Sequence, residues 1–292
     1  MSAKVKSVKF HQSRRGPGRS ALGWAFTIAT VLLWAPTSSA KTELSASLPE
    51  LVALLEELRP EHCFEVRLVS ETLTAGGSVV LASRIRTTEN DAPLERRLEI
   101  AQWINAKSEK LPDGTRILFS PRRAVVSVNA LAERMADLEP LCAHLVEQNS
   151  AEIERRLVDL LQRLEQSTES LNERNQGLIA FDVETLGVIE GLNLELRGTM
   201  TQQPKTLPSP AQFGRQLKAF RNTKVAAIIH ARGGDLAQPR AASRELNIPL
   251  IVLDLDKSIP VTLGYSRYLE EFYQAVLNGL GIRMNVRDEP EN

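Results

Sequence analysis

Four residues able to hold a ligand stand where apolar runs end in the second half of the chain. Asp182 follows LIAF, His230 lies near the end of VAAIIHA, and Asp254 and Asp256 close PLIVLDLD. Carboxylate oxygens suit hard cations such as manganese and an imidazole nitrogen suits zinc, so Asp182, His230 and Asp254 read as a candidate divalent-metal set. Thr199 to Gln203, Arg232 and Asp235 fall at comparable positions. Each residue also has a plainer explanation. Asp182 fits a helix N-cap, His230 a buried histidine with its hydrogen bonds satisfied, and Asp254 a cap or loop-bonding role. Catalytic chemistry has little support. The chain has no G-x-S-x-G elbow, no P-loop and no H-E-x-x-H, and neither cysteine lies in a C-x-x-C pair. Gly233-Gly234 suits an anion-binding turn without opening a dinucleotide site. Four histidines leave few general-base candidates, and the chain reads as a non-enzyme.

The elements that must position these residues alternate from residue 178 onward. LIAF, LELRG, VAAIIHA and PLIVLDLD read as strands, and ETLGVIEGL, SPAQFGRQLKAFRN, LAQPRAASREL and SRYLEEFYQAVLNGL as helices. That order predicts a buried, largely parallel sheet, whose ligand residues lie at the C-terminal strand ends. Ser209, Pro210 and Gln212 predict a capping box with proline at the first helical position. Upstream, Ile153, Leu157, Leu160, Leu161, Leu164 and Leu171 form one apolar stripe, which predicts a helix over about 141 to 174, roughly 50 Å long. A helix of that length suits an element joining two lobes; a dimeric coiled coil is the weaker reading, because sustained e/g pairing is missing. The first half is mixed. LPELVALLEELRP reads as a helix, CFEVRLVSET and SVVLASRIRTT as a strand pair around Gly76-Gly77, PLERRLEIAQWINAKSEKL as a helix on the spacing of Leu94, Leu98, Ala101, Trp103 and Ile104, and DGTRILFSP as extended chain.

The first forty residues carry Lys4, Lys6, Lys9, Arg14, Arg15 and Arg19, no acid, and the run ALGWAFTIATVLLWAP before TSSA. This is the pattern of a cleavable signal peptide over 1–40, with Ser38 and Ala40 at the small-residue positions. The run of about sixteen residues is short for a membrane span. No cysteine stands at the end of the run, before or just after TSSA, which argues against a lipoprotein. An exported, periplasmic product follows. Removing six positive charges from 36 leaves 30 basic against 36 acidic residues, a balance that excludes nucleic acid as an expected partner. Cys63 and Cys142 would enter an oxidising compartment, where a disulfide is permitted but not fixed by sequence.

FSPRRAVVSVNALAERMADLEP with VEQNSAEIERRLVDLLQRLEQ, SPAQFGRQLKAFRNTKVAAII, LNIPLIVLDLD and YLEEFYQAVLNGL follow one another within about residues 113 to 280. Together they resemble the solute-binding proteins of zinc and manganese ABC importers. The resemblance implies two mixed α/β lobes joined by one long linking helix: an N-terminal α/β lobe over 41–140, the helix over 141–176 and a C-terminal βαβα lobe over 177–292. It also implies a monomer that binds a zinc or manganese ion between the lobes and delivers it to an ABC permease in the inner membrane. The ligand positions have changed, however. Arg116 and Asp182 stand where the family carries histidines, and His230 lies one place before the family's glutamate position. Asp254 keeps the family's aspartate. A first-lobe histidine loop is missing, with His62 the nearest substitute. If Arg116 faces the cleft with Asp256 nearby, its charge opposes a cation or pairs with Asp182 or Asp254. The alternative is a non-metal periplasmic interaction protein that reuses the scaffold.

Overall fold

A computed structural model describes residues 41–46, 48–68, 80–84, 95–99, 112, 115–201, 207–233, 235–257, 259–260 and 262–284. The predicted signal segment, the Gly76-Gly77 turn, Gly234, Gln202 and Gln203 lie outside the described residues. Among the described residues, no helix is long and apolar enough to cross a membrane.

The first lobe is built on strands β1 (Thr42–Ala46), β2 (Phe64–Leu68), β3 (Val80–Arg84) and β4 (Glu95–Glu99), in the order β2-β1-β3-β4. Helix α1 (Pro49–Leu58) connects β1 to β2. Proline at its start costs no hydrogen bond, and Leu51, Leu54, Leu55 and Leu58 bury one face at helical spacing. Arg59 is extended, as expected of the residue before Pro60. Three expectations need correction. The segments around Gly76-Gly77 are not a paired hairpin: β1 lies between them, parallel to β2 and antiparallel to β3. A short strand whose helix immediately follows it is masked in sequence by that helix's stronger pattern. Residues 95 to 99 are not helical. They pair antiparallel with β3, with Leu98 opposite Leu81, and cross-strand pairing overrides a weak helical period. The rest of that predicted helix lies outside the described residues. Finally, Ile117–Phe119 form a 3-10 turn rather than extended chain.

Helix α2 (Pro121–Leu138) again opens on proline and stops before Pro140. The short turn Pro140–Cys142 leads into α3 (Ala143–Glu173). At 31 residues α3 is about 46 Å long. Val146, Ile153, Leu157, Leu160, Leu164 and Leu171 run along its buried side, against α1 and α2. Cys63 and Cys142 are joined by a disulfide, with Cα atoms 6.6 Å apart.

The second lobe holds β5 (Gly177–Ala180), β6 (Leu196–Thr199), β7 (Val225–Ala231) and β8 (Leu250–Leu253), all parallel, in the order β6-β5-β7-β8. Between them run α4 (Leu186–Gly191), α5 (Pro210–Phe220) and α6 (Ala237–Leu246), and α7 (Tyr265–Gly279) follows β8. The Ser209–Gln212 capping box is formed in both directions. Asn175, Asn193 and Asn247 take left-handed backbone conformations in the turns that lead from α3, α4 and α6 into strands, a role asparagine fills with little strain. Helix α7 packs back on α1 and α3, and its Tyr265 and Tyr273 are completely buried. Both hydroxyls donate to backbone carbonyls of the 117–119 turn, Tyr265 to Leu118 and Tyr273 to Phe119.

Candidate functional site

In the second sheet the chain leaves β5 toward β6 on one side and returns to place β7 on the other. Connections that depart in opposite directions open a crevice at the carboxyl ends of the two neighbouring strands. Asp182 lies just past β5 and His230 just before the end of β7, so both stand at this switch point. Both are buried. Asp182 Oδ2 is 2.7 Å from His230 Nδ1 and accepts the Ala231 N–H at 2.9 Å. A carboxylate facing Nδ1 holds the proton on that nitrogen and leaves a lone pair on Nε2. Phe181 meets the imidazole edge-on, with ring centroids 5.1 Å apart. Among the described residues, Asp182 Oδ1 and His230 Nε2 are both buried and have no hydrogen-bond partner. Asp182 does occupy the N-cap position of the turn Val183–Thr185, but its side chain makes no capping bond; the carboxylate is committed to β7 instead.

A second ionic cluster lies nearby in the chain path. Arg116 is buried between the lobes. Its Nε donates to Glu50 Oε1 at 2.8 Å, and its Nη2 to Glu50 Oε2 at 2.7 Å and to the Leu255 carbonyl at 2.8 Å. Nη1 donates to Asp256 Oδ1 at 2.6 Å. The fork-on-fork contact with Glu50 is the strong bidentate geometry. Burial on its own would lower the Arg116 pKa, but the charge and hydrogen bonds of Glu50, followed by those of Asp256, raise it above its ordinary value, so the guanidinium is permanently charged. Gly187 makes this placement sterically feasible. A Cβ there would stand 2.4 Å from the Arg116 carbonyl oxygen, so the strip before α2 packs on α4 only because that position has no side chain. Arg116 therefore pairs with Glu50 and Asp256, and the expected pairing with Asp182 or Asp254 gives way to them.

The other candidates lie apart. Asp254 pairs with exposed Arg232 at 3.1 Å, and Asp235 accepts the Ala237 N–H at 2.8 Å at the start of α6. His62 is exposed, with Nε2 3.9 Å from Cys142 Sγ. Of the four proposed metal donors, the structure brings together Asp182 and His230. Among the described residues, the group of three or more His, Cys, Asp or Glu donors lying mutually within 4.8 Å is His62, Cys63 and Cys142, two of which share the disulfide. Sequence reasoning missed Glu50. Its signal was a charge at position 50 on the face shared with Leu54 and Leu58, a core position where a carboxylate requires a buried partner.

No protein-family model and no curated protein sequence matches the chain. Solved structures do. The SBP FpvC of Pseudomonas aeruginosa in complex with Ni2+ is 13% identical, with a TM-score of 0.61 over 83% of this chain and 97% of that one. A Zn(II)-bound mutant variant of AdcAII from Streptococcus pneumoniae is 14% identical, with a TM-score of 0.58 over 82% and 98%. A Cd-bound periplasmic metal binding protein from Candidatus Liberibacter asiaticus is 15% identical, with a TM-score of 0.59 over 82% and 100%. The fold is thus that of metal-binding periplasmic solute-binding proteins: two α/β lobes and one long joining helix.

Proposed function

We propose that this chain is an exported, non-catalytic binding protein of the metal-importer solute-binding type, which carries a divalent cation, zinc or manganese, to an ABC permease in the inner membrane. The observation that favours a cation is the His230 Nε2 lone pair, buried, without a partner and aimed by Asp182. A carboxylate behind an imidazole fixes the tautomer and strengthens the free nitrogen as a donor. Asp182 thereby acts chiefly by orienting His230, and its unpartnered Oδ1 adds one hard donor. One imidazole and one oxygen make a weak site, tolerant of manganese as well as zinc. Asp254 would join only by leaving Arg232.

A second reading, a non-metal periplasmic interaction protein, is favoured by Arg116. Its charge stands at a position where the resembling family carries a metal-binding histidine, and Glu50 and Asp256 already neutralise it. Metal analysis of the purified mature protein, with thermal unfolding in added zinc or manganese, separates the two. A ligand selective for the folded state raises the midpoint. A rise that His230→Ala abolishes supports the cation reading. No bound metal and no rise at ligand excess would leave the interaction reading in its place.

A further inference from the structure

The disulfide has a third donor beside it. His62 and Cys63 lie in the turn between α1 and β2, whose backbone is fixed by the Cys63 and Phe64 N–H groups donating to the Pro60 carbonyl at 3.0 and 3.3 Å. Cys142 closes the turn before α3, its N–H donating to Glu139 O at 2.9 Å. The donor atoms of His62, Cys63 and Cys142 all lie within 4.8 Å of one another, the cysteines buried and the histidine open to solvent. Two thiolates and one imidazole are a three-ligand zinc set that leaves the fourth position to water. The spacing fits. At zinc bond lengths, a tetrahedral sulfur–nitrogen pair is about 3.6 Å apart and a sulfur–sulfur pair about 3.8 Å. His62 Nε2 and Cys142 Sγ already stand 3.9 Å apart. Once the S–S bond is broken, each sulfur needs to move by only about 1 Å, within reach of side-chain rotation.

We infer that His62, Cys63 and Cys142 form a zinc site gated by thiol oxidation. A dithiol reductant gives up two electrons and two protons and becomes a disulfide (a phosphine becomes its oxide, with water supplying the protons), the S–S bond breaks and two thiols form; zinc then displaces both thiol protons to solvent and binds two thiolates and the imidazole. Oxidation by a disulfide reverses this. The thiolates give up two electrons and rejoin, the oxidant takes those electrons with two protons to become two thiols, and zinc leaves. The site is independent of His230, because zinc held at His230 would bind in both redox states.

The test uses the full mature protein in two forms, oxidised, and reduced by a phosphine that is then removed without air. Zinc is titrated in competition with a chromophoric chelator, and cobalt serves as a spectroscopic substitute. The reduced form should bind one more equivalent of zinc than the oxidised form and show a sulfur-to-cobalt charge-transfer band. His62→Ala, a change at an exposed side chain, should weaken that equivalent at least tenfold, and Cys63→Ser with Cys142→Ser should remove it. Equal zinc uptake in both redox states overturns the inference. So does undiminished affinity in His62→Ala, or loss of helical circular dichroism by the reduced protein with zinc present.

Discussion

Two buried ionic groups, one bridging the lobes through Arg116 and one within the second lobe at Asp182 and His230, differ in what they leave unpaired. In the Glu50–Arg116–Asp256 cluster, three guanidinium nitrogens make four hydrogen bonds to two carboxylates and a carbonyl. In the Asp182–His230 pair, one oxygen and one nitrogen remain orphaned in the interior. A buried polar group without a partner loses free energy that a ligand can restore, whereas a saturated one offers a ligand nothing. The first cluster is scaffold and the second is where a ligand would gain most.

That contrast can be broken from either side. Arg116→Met would strand the Glu50 carboxylate in the core, and should cost about 3–5 kcal/mol in urea unfolding. Adding Glu50→Gln should recover a large part of it, since the loss comes from an uncompensated charge. A cost below about 1 kcal/mol for Arg116→Met would mean that the cluster is not scaffold. Gly187→Ala forces the Arg116 backbone away and should cost about 1–3 kcal/mol in the same measurement. On the other side, Asp182→Asn preserves shape but replaces the charged acceptor, and should cost about 1–2 kcal/mol while removing any zinc-induced thermal shift. If that variant keeps the full shift, the Asp182 carboxylate neither orients the donor nor adds one.

The surroundings of the arginine set a pH signature. Burial first, then the charges of Glu50 and Asp254, push the Tyr268 hydroxyl up to about 12, with Arg116 opposing. A group with a raised folded pKa contributes stability that is complete below its unfolded pKa of about 10 and is lost as pH rises through the folded value. Stability should therefore fall between pH 10 and 12, and Arg116→Met should move the Tyr268 titration, read by ultraviolet absorbance, higher still. The smallest effect lies on the outer face of α3. Glu152 accepts hydrogen bonds from Arg155 and Arg156, which lower its pKa to about 2. Its contribution is present above about 4.5 and is lost as pH falls through about 2. On an exposed surface Glu152→Gln should cost only about 0.3 kcal/mol.

Much of the second lobe was legible in the sequence because local chemistry and tertiary structure agree there. The apolar runs are parallel strands with LIAF and VAAIIHA at the centre of the sheet, Ser209 and Gln212 cap the start of α5, and Asp182 and His230 stand at the strand ends where alternation put them. The first lobe resisted because its sheet is assembled from distant segments. β1 is five residues long and pairs with two strands, β2 and β3, that both come after α1 in the chain, so nothing in its own composition identifies it. The partner of Arg116 was hidden for the same reason: Glu50 is 66 residues away in sequence. Glu50, the one fully buried charge of α1, sits where the Leu54 and Leu58 spacing marks a core position, a readable sign that some partner existed, but contact across the lobes decided which one.

The Cys63–Cys142 bond closes a loop whose ends are 79 residues apart, and that has a consequence for what damage does to the protein. Any single backbone cut between those cysteines leaves two fragments in one covalent molecule, with β1, α1 and Glu50 on one piece and the long helix and second lobe on the other. A nicked copy would run as intact material on a denaturing gel until reductant is added, so on exposure to proteases the protein can lose chain continuity without losing β1 or the carboxylate that faces Arg116.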